Sequence, residues 1–381
     1  MQKALFVSTL LPTRMGGMRS LHYNLELFSK FFDVHFLLVK SGPIEKRGLF
    51  DLPKGVKFRE IPCLGGLPAL SSFLFPLQWK EMARIRSAQE QVQEYVDENG
   101  IDVVVFHSMD VTFALRGLRA KVKVGFQIDS FANYYISKWN ASHSPVALFL
   151  AGIQVPLSKV IELELSRNYD MLAYVSGADA QKSCKGSAKA FVISQGRDPP
   201  TSNPNLEARL IDAVIFGRWE HPPNRDGLLR IAPSLGRISG KVKIIGPNLP
   251  QDLKLPPNVE ALGMVDKIED YWSNSKISII PVWYGAGLQT KVFDALRHGS
   301  IVVSTPFTTA TFKSSGYSSP SLCSSDDLIK TANDVLAGWS PASAKSAYAA
   351  YDGFYRITSK QEEEYVKTVA RLLQKKAQSS P

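Results

Sequence analysis

A glycine-bearing turn and the lysine that follows it are the residues best suited to bind an anion. Residues 277–282 form a β-branched apolar run typical of a buried parallel strand, and Gly285 and Gly287 follow it before helical spacing begins at residue 288. The first turn of such a helix exposes unpaired N–H groups, and Lys291 lies one turn in. We therefore expect a phosphate to bind here. In the alternative, the glycines only make a tight turn and the lysine is a solvated surface side chain.

Two ionisable side chains follow two predicted parallel strands in the N-terminal half. Strand 102–106 leads to His107, and strand 122–128 leads to Asp129. The carboxyl ends of parallel strands are where a general base is expected in an α/β sheet. Each residue also has a structural alternative, because a lone histidine is often a satisfied core side chain and Asp129 with Ser130 could cap the next helix.

The elements that must position these side chains repeat in the two halves of the chain. Each half starts with a strand, a turn that carries glycine and arginine, and a helix, first at residues 4–31 and again at residues 212–231. This pattern predicts an α/β fold of two Rossmann-like, doubly wound parallel-sheet domains facing across a cleft. The dinucleotide spacing G-x-G-x-x-G is missing and no acidic residue ends the second strand, which disfavours NAD binding.

Composition shifts divide the chain. The run at 194–204 is rich in Gly, Pro, Ser and Asn and is a natural linker. Ser359 and Glu362 predict a capping box at the start of a last helix. The predicted parts are an N-terminal Rossmann-like domain over 1–195, a linker over 196–208, a C-terminal Rossmann-like domain over 209–355, and a C-terminal helix and tail over 356–381.

The net charge and the apolar segments indicate which classes of partner the chain binds. The net charge of +10 predicts an anionic partner, and the absence of a nucleic-acid-binding motif argues against nucleic acid. Three widely spaced cysteines have no metal-ligand spacing and suit a reducing compartment. Residues 64–80 are apolar and aromatic with a basic flank, so they form either a membrane-docking face or a core helix beside a loop.

With these elements placed, the chain resembles bacterial glycosyltransferases of the GT-B fold, in particular the glycosyl transferases group 1 class. The most specific motif is GAGLQTKVFDALRHGSIVVSTP from Gly285, which matches the class pattern G-x-G-x-x-x-K-x-x-E-A-x-x-x-G-x-P-V-V-x-T. Further motifs are PTRMGG from Pro12, DVVVFHS from Asp102, VGFQIDS from Val124, YVSGAD from Tyr174, VISQGRD from Val192, FGRWEHPPNRDGL from Phe216 and NVEALGMVD from Asn258.

The resemblance implies that the N-terminal domain, 1–195, binds the acceptor and that the C-terminal domain, 209–355, binds a nucleotide-sugar donor. Arg218 and Lys291 would neutralise the diphosphate, and Val265 lies in the loop that cradles the base in such enzymes. The implied donor-binding residues are Gly16, Gly17, Arg218, Val265, Gly285, Gly287, Thr290, Lys291 and Asp294. The chain is also similar to the glucuronosyltransferase of xanthan assembly, in which an aspartate aligned with Asp129 acts as general base. That similarity implies an inverting displacement. His107 is a second catalytic candidate because of its place at a strand end.

Two departures from the class pattern affect the mechanism. Retaining members carry two glutamates eight positions apart, and here those positions hold Ala286 and Asp294. The missing glutamate disfavours the retaining mechanism and favours Asp129 as base. The shorter Asp294 could still accept hydrogen bonds from ribose hydroxyls.

The sequence thus predicts a metal-independent glycosyltransferase without a cofactor. It would move a sugar from a nucleoside diphosphate donor to a hydroxyl of a glycan or lipid-linked acceptor in surface polysaccharide synthesis. We expect it in the cytoplasm, at the inner face of a membrane through peripheral contact with anionic lipid. A GT-B epimerase or phosphorylase is one alternative. A non-catalytic GT-B protein that binds nucleotide or scaffolds a polysaccharide assembly complex is another.

Overall fold

The computed structural model describes most of the chain. The described residues are 1–12, 19–40, 52–63, 77–141, 145–183, 190–194, 198–201, 206–251 and 253–379. The side chains of residues 77–80, 146, 147 and 150 are outside this description. The predicted site residues Gly16 and Gly17, and residues 64–76 of the predicted membrane-docking segment, lie outside the described residues.

A parallel sheet organises the N-terminal half. Among the described residues its strand order is β3-β2-β1-β4-β5-β6-β7, with every neighbouring pair parallel. Its central strands are fully buried apolar runs, as expected when helices cover both faces. The elements in chain order are β1 Lys3–Ser8, α1 Arg19–Ser29, β2 Asp33–Lys40, β3 Lys57–Pro62, α2 Leu77–Arg86, α3 Gln89–Asn99, β4 Val103–His107, α4 Met109–Ala114, β5 Val122–Gln127, α5 Phe131–Ala141, α6 Pro145–Asn168, β6 Met171–Tyr174, α7 Gly177–Ser183 and β7 Ala190–Val192.

A second parallel sheet organises the C-terminal half. Within the described ranges its strand order is β10-β9-β8-β11-β12-β13. The order reverses beside the first strand of each sheet, which is where doubly wound sheets bind ligands. Its elements are β8 Ile211–Phe216, α8 Pro222–Ile231, a 3-10 turn Ala232–Arg237, β9 Val242–Ile245, β10 Val259–Gly263, α9 Ile268–Asn274, β11 Ser275–Ile280, α10 Thr290–Arg297, β12 Ile301–Ser304, α11 Pro306–Ser314, β13 Leu322–Ser324, α12 Leu328–Ala337 and α13 Pro341–Ser379.

The last helix joins the two halves. α13 is a continuous helix of 39 residues. Its first part packs Tyr351 into the C-terminal core, and its later part packs Tyr365 into the N-terminal core. The predicted capping box is therefore wrong, because Ser359 lies inside α13 and its Oγ donates to the carbonyl of Tyr355 at 3.0 Å. An S-x-x-E spacing is equally compatible with a helix interior, and the alanine-rich turns before it continue the helix.

The doubly wound fold and most predicted elements are confirmed. The predicted strand 122–128 is β5, and the predicted helix after residue 288 is α10. The sequence reasoning missed β3, which is an edge strand with exposed charged side chains, and the short helices α4 and α7. It also missed α11, β13 and α12. The domain boundaries stay a prediction.

Candidate active site between the two sheets

The loop between β11 and α10, residues 281–289 and hereafter the glycine loop, approaches the N-terminal sheet. Gly287 has φ of +68°, a left-handed conformation that favours glycine. A Cβ placed on Gly287 would lie 2.2 Å from Oδ1 of Asp129, so only glycine permits this approach. Ser137 of α5 both donates to the Gly285 carbonyl, at 2.8 Å, and accepts from the Gly285 N–H, at 2.9 Å. The structure thus brings the predicted base and the predicted donor loop together.

The start of α10 has no side-chain cap. Its N-cap residue is Gln289, whose side chain makes no capping hydrogen bond. By contrast, Thr305 caps α11 and Asp327 caps α12 with their side chains. Because the first N–H groups of a helix need acceptors, an uncapped start suits an anion. Thr290 is the first residue of α10 and is half-buried.

Lys291 is buried against neutral groups. Its Nζ donates to the Phe216 carbonyl at 3.1 Å and to Oδ1 of Asn224 at 2.8 Å, and the residue is 9% exposed. Among the described residues no carboxylate pairs with it. Burial lowers the pKa of Lys291 to about 7, because the ammonium has lost water without gaining a counter-ion. An anionic ligand would supply that missing charge.

Arg218 lies beside this lysine at the end of β8. Its guanidinium is exposed and forms an ion pair with Glu220 at 2.5 Å, and its carbonyl accepts from Nδ2 of Asn224 at 3.1 Å. His221 is the N-cap residue of α8, and its pKa is lowered by burial and by the charges of Lys291 and Arg218. We call Arg218, His221, Asn224 and Lys291 the cationic corner.

Asp129 follows β5 and faces the glycine loop. Within the described ranges no group bonds to its carboxylate. The surrounding protein raises the pKa of Asp129 to about 6, although water still reaches the side chain from the cleft and moderates this rise. The capping role belongs to its neighbour, because the N–H of Asn133 donates to Ser130 Oγ at 3.2 Å. Asp129 is therefore not needed to cap α5.

A second carboxylate, Asp179 of α7, also binds the glycine loop. It accepts from the Gly287 N–H at 2.8 Å and from Nδ2 of Asn133 at 2.6 Å. Burial and the nearby charges of Asp129 and Glu162 raise the pKa of Asp179 to about 7, although its two hydrogen bonds oppose that rise. Glu162 of α6 is buried and accepts from Ser130 at 2.6 Å. We call Asp129, Glu162 and Asp179 the carboxylate wall.

His107 has described partners inside the N-terminal half. Its Nε2 is 3.0 Å from Ser20 Oγ, and its ring stacks on Phe126 with centroids 5.3 Å apart. The side chain is fully buried. These contacts favour the structural alternative, and a catalytic role for His107 stays a prediction.

Asp294 bonds to the N-terminal half. Arg19 of α1 donates to its Oδ1 at 2.8 Å and lies 3.2 Å from Asp198, which Tyr23 also binds. Burial raises the pKa of Asp294, while Arg19 opposes the rise. The carboxylate predicted to bind ribose is thus held by an arginine of the opposite half.

The remaining predicted site residue that the structure describes is Val265. It is half-buried and lies just after Gly263, which ends β10 with φ of +67°. Its side chain packs against the C-terminal hydrophobic core, which includes Val282 and Leu288 of the glycine loop.

Among the described residues, no cluster of three or more histidine, cysteine or acidic side chains has a geometry that could hold a metal ion. No helix among the described residues has the length and apolar character needed to cross a bilayer.

Sequence reasoning missed several residues of this region. Arg19, Asp179 and Asn224 each contact a predicted site residue, and Asn133 donates to Asp179. Asn224 could have been found, because it follows the Gly-Arg turn at the start of a helix. Arg19 and Asp179 act across the cleft, and no local pattern indicates such pairing.

Comparisons with known proteins agree with this architecture. Residues 211–337 match the family model described as glycosyl transferases group 1. No curated protein matches the chain significantly. Among solved structures, sucrose-phosphate synthase from Thermosynechococcus elongatus superposes with a TM-score of 0.71 at 14% identity, covering 97% of this chain and 100% of that one. HepE of Anabaena in complex with UDP superposes with a TM-score of 0.64 at 13% identity, covering 97% of this chain and 100% of that one.

A third structure is WaaG, a glycosyltransferase involved in lipopolysaccharide biosynthesis. It superposes with a TM-score of 0.61 at 12% identity, covering 94% of this chain and 98% of that one. The chain therefore has the GT-B fold along its whole length. The family match and the fold together support a glycosyltransferase. The similarity to the xanthan glucuronosyltransferase stays a prediction.

Proposed function

We propose that the chain transfers a sugar from a nucleoside diphosphate sugar to a hydroxyl of a glycan or lipid-linked acceptor, in surface polysaccharide synthesis. The observation that carries this proposal is the buried Lys291, which has no counter-ion among the described residues. It lies in the first turn of α10, whose start has no side-chain cap and follows the glycine loop that approaches Asp129. HepE binds UDP, and WaaG is involved in lipopolysaccharide biosynthesis. Both similarities support a nucleotide donor and a surface glycan.

The cationic corner would hold the diphosphate. Arg218, Lys291 and the N–H groups at the start of α10 would neutralise the charge that develops on the leaving phosphate. Arg218 now pairs with Glu220 at the surface, so it is free to turn toward a stronger anion. Burial of Lys291 strengthens its interaction with a phosphate because little water screens it.

Asp129 would act as the general base. It takes the proton from the acceptor hydroxyl while that oxygen attacks the anomeric carbon and the bond from this carbon to the diphosphate breaks. Its raised pKa, near 6, makes it a better proton acceptor than an ordinary aspartate and leaves it ionised at neutral pH. Attack from the face opposite the leaving group inverts the anomeric centre. This assignment also accounts for the alanine at position 286.

The test is a calorimetric titration with UDP, GDP, ADP and CMP. We expect one nucleotide to bind with micromolar affinity, and Lys291→Ala and Arg218→Ala each to weaken it by about 1.5 to 3 kcal/mol, as for a lost charge-assisted contact. Lys313→Ala is the matched control, because Lys313 is exposed on α11. If no nucleotide binds, sugar transfer is excluded.

A non-catalytic GT-B protein is the second candidate. The absent glutamate at Ala286 and the engagement of Asp294 by Arg19 favour it. In that case a nucleotide would bind, but no donor would be turned over with any acceptor extract, and Asp129→Asn would change nothing measurable.

A further inference from the structure

The outer face of α6 carries an apolar stripe. Phe149, Ile153, Val160 and Leu163 are 69%, 51%, 64% and 51% exposed, and their spacing of four, seven and three residues puts them on one side of the helix. Exposed apolar residues normally occur singly, so a row of them indicates an interaction surface. The row spans roughly 20 Å at the rise of an α-helix.

The preceding helix α5 packs against α6, and we call the two helices the α5–α6 hairpin; α5 extends this surface. Trp139 of α5 is 43% exposed, and a Cβ placed on Gly152 of α6 would lie 3.0 Å from its ring. Pro156 interrupts the hydrogen bonding of α6 beside it, because proline has no N–H to donate. A cavity of about 320 Å³ opens here, lined by Ile136, Trp139, Asn140, Gly152, Val155 and Pro156.

Cations border the stripe. Lys159 and Arg167 are exposed on α6, and Lys138 is half-buried on α5. In the part of the chain that the structure describes, no carboxylate lies within ion-pair distance of these three residues. An apolar stripe with unpaired cations at its edge is complementary to an anionic bilayer, in which acyl chains lie below the phosphates. A second copy of the chain would instead bring more unpaired cations to the same surface.

The inner face of the same hairpin reaches the candidate active site. Glu162 is buried on α6 and accepts from Ser130, the neighbour of Asp129. On α5, Ser137 bonds to the glycine loop at Gly285. The α5–α6 hairpin therefore separates the exposed stripe from the cleft by the thickness of one helix layer.

We propose that the exposed face of α5 and α6 docks on an anionic phospholipid bilayer and presents a membrane-embedded, lipid-linked acceptor to Asp129. Docking itself does not depend on catalysis, whereas the lipid-linked acceptor rests on the proposed function.

Vesicle sedimentation tests the docking. The full chain should bind vesicles of phosphatidylglycerol and phosphatidylcholine and not vesicles of phosphatidylcholine alone. Phe149→Ser with Val160→Ser should lower the partition coefficient by about tenfold or more, since burial of apolar area drives such binding. Lys159→Glu with Arg167→Glu should lower it at least as much, at about fivefold for each basic charge removed. Phe31→Ser with Leu210→Ser, which are exposed elsewhere, should change nothing.

A second measurement shows which face of the protein contacts the bilayer. Brominated acyl chains should quench part of the tryptophan fluorescence, and Trp139→Phe should remove that part whereas Trp339→Phe should not. Equal quenching in both variants would overturn the proposal. So would equal binding of both vesicle types, or light scattering that shows a dimer which the Phe149→Ser variant dissociates.

The two proposals fail separately. Vesicle binding without nucleotide binding would retain docking and exclude sugar transfer. Nucleotide binding without vesicle binding would retain transfer and exclude docking. Nucleotide affinity also reports whether each surface variant has folded.

Discussion

The two walls of the cleft have opposite charge. On the C-terminal side, Lys291 is buried against a carbonyl and an amide, with no described carboxylate. On the N-terminal side, Asp129 and Asp179 lie near one another and near Glu162, and the two hydrogen bonds that Asp179 accepts come from neutral N–H groups. Burial lowers the pKa of Lys291 and raises the pKa of Asp179, so in both cases it favours the neutral form. Each wall is therefore electrostatically unfavourable in isolation.

This separation of charge indicates where the donor and the acceptor would bind. A chain selected only for stability would pair these charges, because an unpaired buried charge costs several kcal/mol. Keeping the buried Lys291 apart from the carboxylate wall leaves a site for a diphosphate on one side and for a proton on the other. Glycine at position 287 lets the two walls touch without joining them.

The largest expected effect concerns the carboxylate wall. Asp129→Asn keeps the shape of the side chain but removes the proton acceptor, so we expect kcat to fall by roughly 10² to 10⁴. Nucleotide affinity should stay the same, because Asp129 lies on the wall opposite the cationic corner. The measurements are initial rates with a membrane or glycan acceptor and a parallel calorimetric titration.

Asp179→Asn is the matched control. Asparagine can still accept the Gly287 N–H through its Oδ1, so the glycine loop should keep its position. We expect a smaller loss of rate than for Asp129→Asn. If the nucleotide affinity of the Asp129→Asn variant drops as far as its rate does, the walls do not have separate roles.

The sequence predicted the C-terminal wall better than the N-terminal wall. The glycine loop, Lys291 and α10 follow one another within 20 residues, and strand and helix periodicity locate all three. Both strand ends at His107 and Asp129 were also found. The sequence could not decide between a catalytic and a structural role for these two residues, because that choice depends on burial and on neighbours that are distant in sequence.

The rest could not have been predicted, for a physical reason. Arg19 and Asp294 are 275 residues apart, and Asp179 and Gly287 are 108 residues apart. Such contacts depend on how the two sheets face one another, and no local periodicity encodes that. The length of α13 was missed for a related reason, since its two parts are held by two different cores.

Arg19 is the exception to this separation of charge, because it is a largely buried cation that does pair with carboxylates. It gives the second prediction. This cation of the N-terminal half binds Asp294 and Asp198, and its side chain is 12% exposed. Arg19→Met should lower the free energy of unfolding by about 2 to 4 kcal/mol, because it leaves a buried carboxylate unpaired. Asp294→Asn should cost less, since Arg19 keeps Asp198 at 3.2 Å. Denaturant unfolding of both variants and of the double variant measures the coupling.

A surface pair is the control for that cycle. Lys367 and Glu363 form an i,i+4 pair on α13, with both side chains more than half exposed. Lys367→Met should change stability by about 0.5 kcal/mol or less. If Arg19→Met costs as little as Lys367→Met, the contact between α1 and α10 does not hold the two halves together.

The smallest expected effect is a pH dependence of the cationic corner. The pKa of Lys291 is about 7 in the free protein, and a bound phosphate would raise it by stabilising the ammonium. Nucleotide therefore binds best below pH 7, and its affinity should fall by up to about tenfold per pH unit as the pH rises above 7. Lys291→Arg keeps a permanent charge and should bind with a flat profile above pH 7, once the titration of the nucleotide itself is subtracted. A profile that is as steep in the arginine variant would assign the titration to another group and would remove the argument that Lys291 is held ready for an anion.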